Sequence, residues 1–163
     1  MQNTKKIMTE EGAFKTLSAL CAKGEHCQQE LLEKMRRWEL SEEAQARIME
    51  KLVTGRYVDD ERFARAFVSD KIRYNKWGRH KVEQALWLKH IEKSIVSEVL
   101  DAVDDREYVD VLRPLLKQKR RSTKAQSEYE LTMKLIKFAL GRGFTMDIIK
   151  QCIEVEDEDE FLD

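Results

Sequence analysis

The sequence is poor in the residues that interrupt helices. Its 163 residues include one proline and six glycines, whereas hydrophobic residues make up 42% and charged residues 37%. Proline and glycine are the strongest helix breakers, so a chain with so few of them favours an all-helical fold over a sheet. The length suits one domain or a short array of small units.

Long apolar runs are also absent. No run approaches the roughly 18 residues that a membrane-spanning helix needs. The first six residues, Met-Gln-Asn-Thr-Lys-Lys, lack the apolar core of a signal peptide. We therefore expect a cytoplasmic protein that makes no membrane contact.

Residues for metal, cofactor or covalent chemistry are few. The three cysteines, Cys21, Cys27 and Cys152, are odd in number and show no C-x-x-C spacing, which argues against a disulfide framework and a zinc site. The acidic run Asp59-Asp60-Glu61 is explained by helix capping rather than by metal binding. Phosphate-binding glycine loops and the common hydrolase motifs are missing as well. We predict a protein with no catalytic residues, no metal and no cofactor.

Charge is divided unevenly along the chain. The net charge is −1, but residues 154–163 carry seven acids and no base, which leaves residues 1–153 with a net charge of +6. A mildly basic body suits a nucleic-acid partner or an acidic protein groove. For residues 155–163 we expect a solvated, disordered acidic tail.

An internal repeat organises the chain. The apolar pattern that starts at Leu31 and runs through Met35, Leu40 and Ile48 recurs from Val82 and again from Leu135. Glu39, His90 and Gly143 occupy equivalent slots, at which a left-handed cap residue is expected. The acidic helix start at residues 59–63 is echoed at residues 104–108, and Phe63 and Phe67 are expected to be core residues.

These patterns predict nine helices in three units. The expected helices cover residues 10–22, 27–38, 42–54, 60–74, 79–89, 92–103, 105–119, 124–141 and 145–154. The predicted units cover residues 1–57, 58–103 and 104–154, followed by the tail. Pro114 should kink the seventh helix or end its first half.

Two basic strips are candidates for binding a partner. One lies between Lys71 and Lys81; the other lies between Arg113 and Lys124, lacks interleaved aromatic residues and could be a loop. The first follows the helix that begins near residue 60 and contains Tyr74 and Trp77, since an aromatic among bases can stack on a nucleobase. Trp77 is more simply explained as a helix-end anchor, and a charge run as a solvated face. Arg62 and Arg65 could instead pair with Asp59 or Glu61. The candidate residues are Arg62, Arg65, Lys71, Arg73, Tyr74, Lys76, Arg79, Lys81, Lys119, Arg120, Arg121 and Lys124.

The two best-defined motifs resemble the RecX family of bacterial regulatory proteins. Y-V-D-D-E-R-F-A followed by K-W-G-R-H-K-V is similar to the central signature of that family, and K-L-I-K-F-A-L-G-R-G-F-T-M-D-I-I resembles its last repeat. The resemblance spans about residues 12–153. It implies three tandem three-helix, helix-turn-helix-like repeats in an elongated, curved body. It also implies binding to the filament of a RecA recombinase on single-stranded DNA, with inhibition of its ATPase, strand-exchange and co-protease activities.

A second hypothesis belongs to a different class. Three-helix units of this size are also found in DNA-binding folds, so the chain could be an autonomous helix-turn-helix-like DNA-binding module. The repeat, the modest charge and the motif match favour the regulator. For that regulator we expect a monomer that binds bare single-stranded DNA weakly.

Overall fold

The computed structural model describes residues 7–161, with side chains through Ile153, and that part of the chain forms nine α-helices and no strand. The helix starts match the predicted ones to within four residues. The largest difference is at the ninth helix, which continues to Phe161, seven residues past its predicted end. The seventh helix continues to Ser122 and the eighth begins at Glu128. The helices are α1 (Glu10–Lys23), α2 (Gln28–Arg37), α3 (Glu42–Thr54), α4 (Asp60–Arg73), α5 (Arg79–Leu88), α6 (Lys93–Asp101), α7 (Asp105–Ser122), α8 (Glu128–Gly141) and α9 (Met146–Phe161).

The nine helices form three units of three. Helices α1–α3 pack around one apolar cluster, whereas α4–α6 and α7–α9 share a second, continuous cluster. Phe63 is buried in the second cluster and Phe67 packs against it, as predicted. Units two and three therefore form one core, and unit one forms its own. The limits predicted for the units, and the disorder predicted for residues 155–163, whose side chains lie outside the described part, stay predictions.

Polar side chains begin most of the helices. Thr9, Ser41, Asp59 and Ser127 each accept a hydrogen bond from a backbone N–H in the first turn of the following helix. Glu92, the poor cap of the second repeat, makes no such bond. Because these bonds satisfy donors that a helix leaves unpaired, they fix where each helix starts.

The turn after the second helix of each unit has the predicted left-handed residue. The φ angles are 59° at Glu39, 57° at His90 and 93° at Gly143. The next residue donates its N–H back into the helix: Leu40 to the Met35 carbonyl at 3.3 Å, with equivalent bonds in the other two units. This is the Schellman arrangement, in which an apolar residue after the turn closes the helix end.

Pro114 does not end the seventh helix, contrary to one of the two predicted effects. Helix α7 continues through it for two further turns. A proline inside a helix costs about 3 kcal/mol. Helix α7 also buries Leu112, Leu115 and Leu116, and each buried leucine contributes about 1.5–3 kcal/mol. Apolar burial thus outweighs the lost hydrogen bond.

The joint between units one and two is small and largely polar. The Asp60 carboxylate accepts a hydrogen bond from the Gln28 backbone N–H at 2.9 Å, and the Cys27 thiol donates to the Lys89 carbonyl at 3.9 Å. The Lys89 ammonium lies 3.6 Å from the Glu30 carboxylate. Burial raises the pKa of Asp60 and raises that of Cys27 to about 12.

The body is elongated. Unit one contacts unit two through Asp60 and Lys89, and unit two contacts unit three through α4 and α7, so the units follow one another in a row. A row of three small units buries its core mainly through neighbour contacts and leaves a long surface open. That surface carries the candidate site.

Candidate nucleic-acid interface

The centre of the first basic strip is a pair of lysines on one tryptophan. The Lys71 ammonium lies 5.1 Å from the centre of the Trp77 ring and 5.3 Å from that of Phe67. The Lys81 ammonium lies 4.9 Å from the Trp77 ring. Trp77 packs against the shared core, so the simpler explanation, a helix-end anchor, is correct for the ring itself. The anchored ring holds two cations side by side at the surface.

Two glycines let units two and three meet next to this pair. A Cβ on Gly78 would lie 2.3 Å from the backbone of Phe144, and a Cβ on Gly143 would lie 2.5 Å from the Cβ of Lys81. Real Cβ atoms do not approach so closely, so both positions need glycine. The Gly78 N–H donates to the Arg142 carbonyl at 2.9 Å, which ties the start of α5 to the end of α8.

Arg142 extends the cationic surface into unit three. Its guanidinium lies 5.5 Å from the centre of the Phe138 ring and donates to the Asn75 carbonyl at 3.0 Å. The Lys119 ammonium lies 5.0 Å from the same ring. Lys119, which belongs to the second basic strip, therefore lies on the same surface as the first basic strip. We name this row the cation–aromatic ladder, which consists of Phe67, Lys71, Trp77, Lys81, Arg142, Phe138 and Lys119.

Sequence reasoning missed Phe138 and Arg142. The signal was present in the repeat, since Arg142 is equivalent to Lys89, which also contacts the preceding unit. The second strip was also expected to be a possible loop without aromatic residues. In fact Lys119, Arg120 and Arg121 lie on α7, and its aromatic comes from α8. A single stretch of sequence does not show that an aromatic ring from one helix lies among the basic residues of another helix.

Three further candidates lie between Lys71 and Trp77 in the sequence. Tyr74, at the end of α4, is 77% exposed. Lys76 has a φ of 57° and is exposed, which places its side chain in the turn that leads to Trp77. Arg73 is exposed and lines a groove of about 440 Å³ between α4, α6 and α7. Tyr74 and Lys76 thus put an exposed aromatic ring and a cation in the turn between Lys71 and Trp77.

Three predicted arginines pair with acids of the chain itself. Arg62 lies 2.6 Å from Glu25 of unit one and also donates to the Arg56 and Tyr57 carbonyls, so it joins units one and two. The other two pairs are Arg65 with Glu61 at 2.7 Å and Arg79 with Asp101 at 2.6 Å. These pairs are largely exposed and stabilise the fold by only about 0–1 kcal/mol each, but they reduce the charge offered to a partner.

The remaining candidates lie at the end of α7. Arg120 lies 2.8 Å from Glu128, and Arg121 is exposed. The backbone carbonyl of Lys124 accepts a hydrogen bond from the Lys134 ammonium at 2.8 Å. These residues lie on the same helix or loop as Lys119, beyond the ladder.

This surface can bind phosphate and stack on bases. The described side chains show no cluster that suits metal binding. Lysines and arginines attract phosphates by charge, and exposed aromatic rings provide stacking surfaces for bases. Among the described residues, no three His, Cys, Asp or Glu side chains come close enough together to bind a metal. In the same part of the chain, every helix is too short or too polar to cross a membrane.

Comparisons with known proteins agree with this architecture. The model of the second RecX three-helix domain matches residues 59–100, and that of the third matches residues 105–153. Regulatory protein RecX of Acinetobacter baylyi is 29% identical over 141 residues, which cover 86% of each chain. Regulatory protein RecX of Clostridium botulinum is 30% identical over 124 residues, or 75% of this chain and 58% of the relative. Against the Bacillus cytotoxicus relative, the matched segment spans 47% of that protein's length.

Solved structures show the same fold. The crystal structure of RecX from Lactobacillus salivarius superposes with a TM-score of 0.82 at 21% identity, covering 91% of this chain and 96% of that one. A second crystal structure of regulatory protein RecX gives a TM-score of 0.81 at 18% identity over 89% of this chain. The three-helix architecture is therefore shared despite low identity.

Proposed function

The chain belongs to the RecX family, and on that premise we propose that it regulates a RecA-type recombinase by binding along the recombinase–single-stranded DNA filament. Binding suppresses the ATPase, strand-exchange and co-protease activities of the filament. Its relatives are named regulatory proteins, which supports a regulatory rather than an enzymatic role. We expect the protein to act as a cytoplasmic monomer without a cofactor.

The observation that carries this proposal is the cation–aromatic ladder across two units. It presents four cations, Lys71, Lys81, Arg142 and Lys119, on two aromatic rings along the elongated body. A long surface can touch several filament subunits, so that modest contacts at each accumulate into firm binding. The ladder supplies phosphate contacts, and Tyr74 and Lys76 add a ring and a charge in the turn between Lys71 and Trp77.

The modest charge of the body favours the filament over bare DNA. The net charge of residues 1–153 is only +6, and several bases are already paired with acids of the chain. Phosphate contacts alone then give weak binding that decreases steeply with salt. Protein contacts with the recombinase supply the remainder of the affinity.

Two measurements test the proposal. The first is DNA-dependent ATP hydrolysis by the recombinase of the same organism, with and without the protein, for which we expect inhibition. The second is fluorescence anisotropy at physiological salt, for which we expect much tighter binding to the filament than to bare single-stranded DNA. Equal affinity for both, without an effect on ATP hydrolysis, would favour the autonomous DNA-binding module.

A further inference from the structure

The second half of helix α7 and the loop after it are strongly basic. Residues 111–127 contain six lysines and arginines and no acid. We call Lys117, Lys119, Arg120, Arg121 and Lys124 the basic end of α7. Lys119 also belongs to the ladder, so the basic end continues the proposed nucleic-acid surface.

The C-terminal residues have the opposite composition. Residues 154–163 contain seven acids and no base, and they follow directly after Ile153, which packs against the shared core. A segment of this charge is attracted to whichever basic surface lies within its reach. The geometry of α7 and α9 determines which surface that is.

Helices α7 and α9 begin side by side. A cavity of about 190 Å³ is lined by Asp105 and Tyr108 of α7 together with Ile148 of α9 and Thr145, which directly precedes α9. The first turns of the two helices therefore lie close together.

Both helices then follow the same core. Leu112 and Leu116 of α7 and Ile149 and Cys152 of α9 are fully buried in one cluster. Helices that start together and remain packed together run in the same direction. Helix α9 therefore runs toward the same end of unit three as α7, and that end of α7 is basic.

We propose that residues 154–163 bind the basic end of α7 within the same molecule and compete with nucleic acid for it. This inference rests on the proposed nucleic-acid contact of units two and three. The segment is covalently attached, so its effective concentration at the basic end is of millimolar order or higher. It therefore excludes weak, non-specific phosphate contacts and yields only to a partner that makes additional contacts, such as a filament.

The first test compares two variants that lose the same charge. The neutral-tail variant carries Glu→Gln and Asp→Asn at all seven acids, Glu154, Glu156, Asp157, Glu158, Asp159, Glu160 and Asp163. The control carries Glu→Gln at seven exposed acids elsewhere, Glu11, Glu33, Glu42, Glu43, Glu50, Glu92 and Glu98. The probe is a labelled 30-nucleotide oligo(dT), and thermal melting followed by circular dichroism verifies that both variants are folded.

At low salt we expect the neutral-tail variant to bind oligo(dT) at least tenfold more tightly than the parent, and its affinity to decrease more steeply with salt because more phosphate contacts form. The control should gain less than threefold. Equal gains in both variants would mean that net charge alone acts and would overturn the inference. If the neutral-tail variant does not bind oligo(dT) even at low salt, both the proposed competition between residues 154–163 and nucleic acid and the proposed nucleic-acid contact are wrong.

The second test examines the contact without nucleic acid. A zero-length carbodiimide joins a carboxylate to a lysine that touches it, and mass spectrometry identifies the pair. We expect links from residues 154–163 to Lys117, Lys119 or Lys124 within one molecule. A mixture of isotopically labelled and unlabelled protein distinguishes links within a molecule from links between molecules. The absence of such links, or links only between molecules, would overturn the inference whatever the outcome with the recombinase.

Discussion

The packing between units two and three predicts that Gly78 tolerates no side chain. A Cβ at this position would lie 2.3 Å from both the N and Cα atoms of Phe144, which is fully buried. Ordinary contacts between such atoms are about 3.5–4 Å, so Gly78→Ala forces the two backbones apart by more than 1 Å. The hydrogen bonds from Gly78 to Arg142 and from His80 to Gly143, at 2.9 and 3.0 Å, lie across this contact and would lengthen.

The expected destabilisation follows from opposing effects. Overpacking costs about 1–3 kcal/mol, and each weakened hydrogen bond costs about 0.5–1.5 kcal/mol. Replacing a glycine by alanine also restricts the unfolded chain, which returns about 0.4–1 kcal/mol. We therefore expect Gly78→Ala to lower the free energy of unfolding by about 1–5 kcal/mol.

Urea denaturation monitored by circular dichroism measures this change. The matched control is Gly141→Ala, because a Cβ on Gly141 meets no atom within 4 Å and its helical position favours alanine. The control should be as stable as the parent or more stable by up to about 1 kcal/mol. A Gly78→Ala protein within about 0.5 kcal/mol of the parent would refute close packing of the two units.

Two other predictions concern the joint between units one and two. Asp60→Ala leaves the Gln28 N–H without its acceptor and should lower the free energy of unfolding by about 1–3 kcal/mol, whereas Asp60→Asn keeps an acceptor. Burial raises the pKa of Asp60 above its ordinary value of 3.8, so the folded protein disfavours the ionised carboxylate. As pH rises from the unfolded-state pKa to the raised folded-state pKa, the parent loses stability and Asp60→Asn should become more stable relative to it. A relative gain of Asp60→Asn below that interval would contradict this reasoning. Burial raises the pKa of Cys27 to about 12, so this thiol should react with a thiol reagent at pH 8 only after the protein unfolds in urea. Mass spectrometry locates the modified thiol. Rapid modification of Cys27 in the native protein would contradict its burial.

Local patterns in the sequence predicted most of the fold. Left-handed slots, cap residues and apolar spacing are local, and they located the helix starts to within four residues, whereas α9 continues seven residues past its predicted end. The start of α8 was missed although its signal was local: Ser127 accepts from the Glu130 N–H, and Glu130 accepts from the Gln126 N–H. Helix α7 continues beyond Pro114 because the burial of its leucines outweighs the tendency of proline to end a helix.

The candidate surface was harder to predict because it is assembled from distant residues. Trp77 and its two lysines are close in sequence, so the sequence placed them in one candidate strip, whose role in binding stays a prediction. Arg142 reaches Asn75 across 67 positions, and Arg62 reaches Glu25 across 37. Only the packing of units shows which bases pair with acids of the chain and which stay available on the ladder.

The most direct test of the account compares inhibition of recombinase ATP hydrolysis by two variants of equal charge. The ladder variant carries Gln at Lys71, Lys81, Lys119 and Arg142; the control carries Gln at four exposed bases of unit one, Lys15, Lys23, Arg36 and Arg37. The control should melt near the parent temperature, because exposed charges contribute about 0.5 kcal/mol or less. The ladder variant also loses cation–aromatic contacts of about 0.5–1 kcal/mol each, so it should melt lower, and inhibition is compared at a temperature at which both variants are folded. We predict that the control inhibits within twofold of the parent and that the ladder variant needs at least ten times the concentration. A folded ladder variant that inhibits as well as the parent would contradict the central claim.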